Sequence, residues 1–229
     1  KGGITKESVG LVDVFLEEGK KVVVTSMRPE TAHERKYQMT SRPAATQKSL
    51  VVLIDENSAS ASEIFSGAIK AHKRGLLVGL RTYGKGSEQK NSSNHPILRD
   101  IPLWTYFFPE LYFYKTLGYY FLANGYSPQW DGIEPDIQSF DNPAKTHEEG
   151  IIREREAFPL SLRDINQGLP AFVGINVQFV SSCLEKSSWA ENQWNDVKNR
   201  PFHENFQYWQ GLDSLSCLIQ QRSQLEDFQ

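Results

Sequence analysis

Gly79 and Gly84-Lys85 stand at the spacing of a phosphate-binding G-x-x-x-x-G-K loop, directly after an apolar run. Nucleotide binding asks for two further things. A hydroxyl next to the lysine must reach Mg²⁺, and the loop must open a helix whose first N–H groups cradle the phosphates. Gly86 takes the place of that Ser or Thr, and the SEQKNSSNHP that follows is a poor helix former. Lys85 is therefore not read as a phosphate ligand. A second candidate lies upstream, in NSASASEI (57–64), where an apolar run meets a helical pattern. Ser60 and Glu63 have the spacing of a capping box, which many helices use to start. A serine at such a turn is also placed to act as a nucleophile. The helix head favours negative charge, and the next amide can stabilise an oxyanion.

A nucleophilic serine needs a base. The five histidines are His33, His72, His95, His147 and His203. His72 follows Ser60 along one predicted helix, about 18 Å away by rise, and cannot touch it. His33 and His95 fall in polar stretches, His147 and His203 in the extension beyond residue 140, and all five are read as surface residues. No G-x-S-x-G surrounds Ser60. Lys85 is the better partner. A helix over 60–73 and a return strand over 75–81 each run roughly 20 Å, so the chain leaves and comes back by similar lengths. To serve as a base, the lysine must lower its pKa from about 10.4 to near 7, roughly 4 kcal/mol against the charged form. Gly84 and Gly86 let the backbone press close, and Tyr83 can help exclude water. Without such burial Lys85 is a solvated cation.

The elements that must position these residues follow from periodicity. Residues 5–18 carry Val9, Val12, Phe15 and Leu16 at helical spacing, with Gly19 as a stop. KVVVTSM (21–27) and SLVVLID (49–55) read as buried strands, the polar stretch 28–48 as a loop, and LLVGL (76–80) as a third strand. Strand, helix and strand without hairpin turns predict an α/β core with parallel pairing. Residues 101–130 are dense in Trp, Tyr and Phe. They read as strands or hairpins that turn at Gly118 and Gly125, paired across a sheet or lining a substrate site. GIEPD (132–136) closes that region as a turn. Beyond about residue 140 the chain becomes polar and charged, with helical character over 177–188 and 203–226. This predicts a core over 1–140 and a mostly helical extension over 141–229.

The 229 residues are enough for a substantial core, and 39% hydrophobic and 23% charged residues describe a folded chain. A net charge of −3 gives no nucleic-acid footprint. No apolar run approaches the roughly 20 residues of a membrane helix. The chain opens KGGITKES with no initiator Met, as a mature or truncated piece would. Cys183 and Cys217 lack a second C-x-x-C partner, which argues against zinc. They are two buried thiols or, in an oxidising compartment, a disulfide.

VVLIDENSASASEIFSGAIKAHKRGLLVGLRTYGKGSEQ (51–89) resembles the core of the carboxy-terminal processing peptidases, the tail-specific serine proteases. S-A-S-A-S-E followed by G-K-G-S-x-Q is specific in combination. GYSPQWDGIEPDI (125–137) is similar to that family's G-x-S-x-x-x-x-G-I-x-P-D segment. GGIT…VDVFLEEGKKVV resembles the piece after its Asn-x-Gly-Gly turn, so the likeness spans roughly residues 2–138. The resemblance implies Ser60 as nucleophile, Lys85 as general base and Gln89 as the residue that supports the pair. It implies an oxyanion hole from the amides of Ala61 and of Gly2 or Gly3. The implied fold is the β-α spiral of the Clp-protease and crotonase group, with an aromatic-rich β region and the helical extension added. Glu88 departs from the family, standing where a small apolar residue is usual. Because the chain opens at the Gly-Gly turn, the expected partner is an N-terminal chain carrying the rest of the core and a PDZ domain.

The expected activity is that of a serine endopeptidase with a Ser-Lys dyad, cutting proteins near their C-terminal tails. It needs no metal or nucleotide cofactor and works in the periplasm or another extracytoplasmic setting in a bacterium, where a Cys183–Cys217 disulfide is reasonable. The alternative is a non-catalytic binding scaffold on the same fold, with Ser60 merely a cap and Lys85 exposed.

Overall fold

The computed structural model describes residues 2–27, 34–92, 113–139, 175–185 and 206–226. The expected boundary near 141–150, the aromatic residues 101–112, and His33, His95, His147 and His203 lie outside these. The described residues form a mixed α/β fold with two sheets. Strands β1 (Lys21–Ser26), β2 (Lys36–Met39), β5 (Ser87–Ser92) and β6 (Phe113–Leu122) make an antiparallel sheet in the order β2-β1-β6-β5. Strands β3 (Val51–Ile54), β4 (Leu76–Gly79) and β7 (Ile137–Gln138) make a parallel sheet in the order β3-β4-β7.

Helix α2 (Ala61–Ala71) joins β3 to β4 and lies between the sheets. Its Ile64 and Ala68 pack with Val22, Val23 and Tyr120 of the antiparallel sheet. Ile69 packs with Ile54, Leu77 and Ile133 on the parallel side. Each buried isoleucine contributes about 1.5–3 kcal/mol. Strand β4 is buried on both faces, which is why LLVG reads as an unbroken apolar run rather than an alternating one. Its side chains still alternate. Leu77 faces α2, while Leu76 and Val78 face helices α3 (Val177–Leu184) and α4 (Phe206–Glu226) on the far side. A disulfide between Cys183 and Cys217 joins α3 to α4, with Cα atoms 5.9 Å apart, inside the cluster that buries Val180, Leu184 and Leu218.

The sequence-based expectations need four corrections. The first helix, α1, spans Thr5–Val12 instead of 5–18. Val14 O accepts from Ala45 N at 2.9 Å and Phe15 O accepts from Arg74 Nε at 2.9 Å, so carbonyls that a longer helix would use serve partners outside it. The loop expected over 28–48 contains β2. This edge strand is only four residues long and mostly exposed, so its Tyr37 and Met39 mark no buried face, and its backbone ladder to β1 holds it. Gly118 is not a turn. It lies inside β6, where a Cβ would come within 2.8 Å of Ser26 O across the β1 pairing. Gly125, at φ 79°, does turn the chain. Finally, His72 is buried, not on the surface, and its Nε2 lies 2.7 Å from Lys21 O at the end of α2.

Candidate active site

Ser60 sits at the turn from β3 into α2 with φ 56° and ψ −113°. A non-glycine residue adopts such a backbone only when its surroundings hold it there. The strand-to-helix turns that present nucleophilic serines use the same device to expose the hydroxyl. The turn is built first by Asp55 and Ser58. Ser58 Oγ donates to Asp55 Oδ1 at 2.9 Å and accepts from Asp55 N at 3.2 Å. Glu63 then reaches back one helical turn, and its Oε2 accepts the Ser60 N–H at 2.7 Å.

Glu63 does far more than cap the helix. It is fully buried, and its carboxylate collects the loop that returns from β4. Oε1 accepts from Thr82 Oγ1 at 2.6 Å and Gly84 N at 2.8 Å, and Oε2 accepts from Lys85 N at 3.0 Å. Tyr83 N adds a bond to Ser58 O at 2.9 Å. Burial pushes the Glu63 carboxyl upward from its ordinary value, and the bonds from Thr82, Gly84, Ser60 and Lys85 oppose that rise. Tyr120 of β6 makes a second bridge. Its hydroxyl is in hydrogen-bond reach of both Ser60 O, at 3.1 Å, and Lys85 O. Burial, followed by the neighbouring Glu63 charge, pushes that phenol well above its ordinary range, so it stays a donor.

The glycines flanking Lys85 are required by space. Gly84 has φ 93°, and a Cβ there would come within 2.7 Å of Trp130 O. A Cβ on Gly86 would meet Gln129 N and Ser127 Oγ, each at 2.7 Å. Segment 127–132 thus forms a cradle. Gln129 Oε1 accepts from Gly86 N at 2.7 Å, and Trp130 N donates to Gly84 O at 2.9 Å.

At the head of α2 the residues predicted from sequence are arranged unevenly. The backbones of Ser60 and Lys85 are tied together through Glu63 and Tyr120. The half-buried Lys85 donates its amine to Gln89 Oε1 at 3.2 Å; among the described hydrogen bonds none joins that amine to Ser60 Oγ. Bonds of that kind commonly tighten only when substrate is engaged. Ala61 supplies the first amide of α2, one of the orphan donors of a helix start. Gly2 lies against the turn, since a Cβ there would sit 2.9 Å from Ser60 Cβ, whereas Gly3 faces open space. A cleft of about 430 Å³ opens beside this corner, walled by Gly2, Ile4, Leu11, Leu53 and Phe65. The sequence reading missed the roles of Glu63, Tyr120 and Gln129. The Glu63 signal was present in S-A-S-A-S-E, where its helix-capping role hid the longer-range one.

Residues 1–139 match the sequence profile of peptidase family S41. The chain is 33% identical over 136 residues to a carboxy-terminal-processing protease of Bartonella bacilliformis, covering 59% of this chain and 28% of that protein. It is 29% identical over 200 residues to a probable CtpA-like serine protease of Staphylococcus aureus, covering 84% of this chain and 36% of that one. Among solved structures, a photosystem II D1 C-terminal processing protease superposes with a TM-score of 0.45 at 26% identity, over 60% of this chain and 32% of that chain. The chain thus spans about a third of the length of the relatives it matches.

Proposed function

Because this chain belongs to peptidase family S41, we propose that it carries the nucleophile and general base of a serine endopeptidase acting on the C-terminal tails of proteins. Ser60 Oγ attacks the scissile carbonyl. The Lys85 amine takes the hydroxyl proton and passes it to the leaving amine, and water then releases the acyl group from Ser60. Gln89 Oε1 orients the Lys85 amine. The amides of Ala61 and of Gly2 or Gly3 stabilise the tetrahedral oxyanion, with Gly2 favoured by its place against Ser60. The parallel β3-α2-β4 unit belongs, in this reading, to a β-α spiral of the Clp-protease and crotonase kind, over a core of residues 1–140 with the helices of 141–229 as an extension. An N-terminal segment bearing a PDZ domain completes the core and grips the substrate tail. The setting is extracytoplasmic in a bacterium, in keeping with the Cys183–Cys217 disulfide.

One observation carries this reading: a single buried carboxylate, Glu63, holds the backbone of Ser60 and the backbone of Lys85. A surface cap and an unrelated loop lysine have no cause to share it. The test is peptide cleavage by the full-length protein with Ser60→Ala or Lys85→Ala. Each variant is expected to fold and to lose cleavage by at least about a thousandfold, as activated nucleophiles and their bases do. Undiminished turnover in either variant rules the dyad out.

A further inference from the structure

Helix α4 runs across the parallel sheet on the side away from α2, and its first two turns reach the carboxyl ends of all three strands. Gln207 Nε2 donates to Ile54 O, the last carbonyl of β3. The same carbonyl accepts Leu80 N at 2.9 Å, just past the end of β4. Gly79, the last residue of β4, lies so close under the Gln207 amide that any Cβ there would collide with it. Gln210 Nε2 donates to Gln138 O, the last residue of β7, at 3.2 Å. Gly211 lets the helix settle on Leu53, where a Cβ would come within 2.5 Å of Leu53 Cδ2.

Those strand ends are where the chain departs for the site. From Ile54 it runs through Asp55 and Ser58 to Ser60; from Gly79 it runs through Thr82 and Gly84 to Lys85. The helix that carries Gln207 is itself anchored further along, by the Cys183–Cys217 disulfide, by Arg222 Nη1 to Gln47 O at 2.7 Å, and by Gln221 Oε1 accepting from Asn176 N at 3.2 Å.

We propose that Gln207 is a positioning residue for the Ser60–Lys85 pair, clamping the two strand ends from which both loops spring, and that the Cys183–Cys217 disulfide keeps its helix in register. The proposal rests on the dyad reading for its effect on turnover, and on geometry alone for its effect on the loops. Glu63 ties the loops at their tips and Gln207 ties them at their roots, so neither tie makes the other redundant. Misplacing a reacting group by 1 Å can cost roughly a hundredfold in rate, so a loosened root is expected to act on kcat.

The experiment uses the full-length protein with Gln207→Met, which keeps the length and removes the donor, Gln207→Lys, which restores a donor, and Cys183→Ser/Cys217→Ser. Gln207→Met is expected to lower kcat by about tenfold to a hundredfold with KM within about twofold, and to raise amide exchange in residues 55–60 and 80–86. Gln207→Lys is expected to recover most of kcat. The double serine variant is expected to show the same raised exchange while still folded. Unchanged exchange in both segments for Gln207→Met overturns the clamp, whatever the activity. A kcat loss that merely follows the unfolded fraction, or that lysine leaves unrepaired, overturns the positioning role. Unchanged exchange in the double serine variant overturns the part played by the disulfide. Failure of the dyad reading itself shows separately, as undiminished cleavage by Ser60→Ala.

Discussion

Ser60 and Lys85 hang from the same carboxylate oxygen. Glu63 Oε2 accepts the Ser60 amide at 2.7 Å and the Lys85 amide at 3.0 Å, so the two residues are fixed relative to each other through the backbone rather than through their reactive ends. The side chains lie outside these ties, while the peptide units that carry them are held together.

Glu63→Gln is the first prediction. An amide has one acceptor oxygen where the carboxylate has two, and its NH₂ would face N–H groups that need an acceptor. At least one buried donor among Ser60, Thr82, Gly84 and Lys85 loses its partner, which costs about 1–3 kcal/mol. Urea denaturation should show a lowered midpoint at unchanged slope, and cleavage should fall well beyond what the lost stability explains. A variant as stable and as active as the parent would mean that the carboxylate is an ordinary helix cap.

Two glycines should respond to alanine in opposite directions. Gly84 is at φ 93° against Trp130 O, so Gly84→Ala should destabilise by about 1–3 kcal/mol and displace the Lys85 loop. Gly10 lies within α1, and a Cβ there meets nothing within 4 Å. Gly10→Ala should stabilise by about 0.5–1 kcal/mol. Thermal denaturation of the pair decides the matter, since equal effects from both would contradict the packing described.

His72 sets a pH dependence. Burial lowers its pKa; the bond to Lys21 O opposes this, and the charges of Lys20 and Lys21 add to the lowering. The folded protein therefore holds the ring neutral where the unfolded chain binds a proton. Stability from this group is complete above the unfolded value of about 6.5 and is lost as pH falls through the lower folded value. His72→Gln does not titrate, so its melting temperature should fall less between pH 7.5 and pH 5 than that of the parent. Parallel curves would show that His72 does not contribute.

What could be read in the chain depended on how local its cause was. The apolar runs of β3 and β4 and the small residues around Ser60 are consequences of near neighbours, so they stand out in a linear reading. Glu63 has one local partner, Ser60, and three more that reach it only after α2 and β4 bring the chain back; only the first can be inferred from spacing. Tyr120 reads as one more aromatic in a sheet, because the phenol's reach to Ser60 O and Lys85 O depends on the pairing of β6 with β1 and β5. Strand β2 hid for another reason. At a sheet edge backbone bonding suffices, and the alternation of Tyr37 and Met39 over four mostly exposed residues is too short to stand out from a polar loop. Helix α1 ended early because Val14 O and Phe15 O were claimed by Ala45 and Arg74, partners well downstream.

The backbone of Ser60, at φ 56° and ψ −113°, suits an amino acid with no side chain better than it suits serine. Ser60→Gly would relax that turn while discarding the hydroxyl. If Ser60 is the nucleophile proposed above, the tension between durability and turnover is concentrated at one Cα, and a screen that selects this protein for heat resistance alone would drift toward a sturdier, inert molecule at that position.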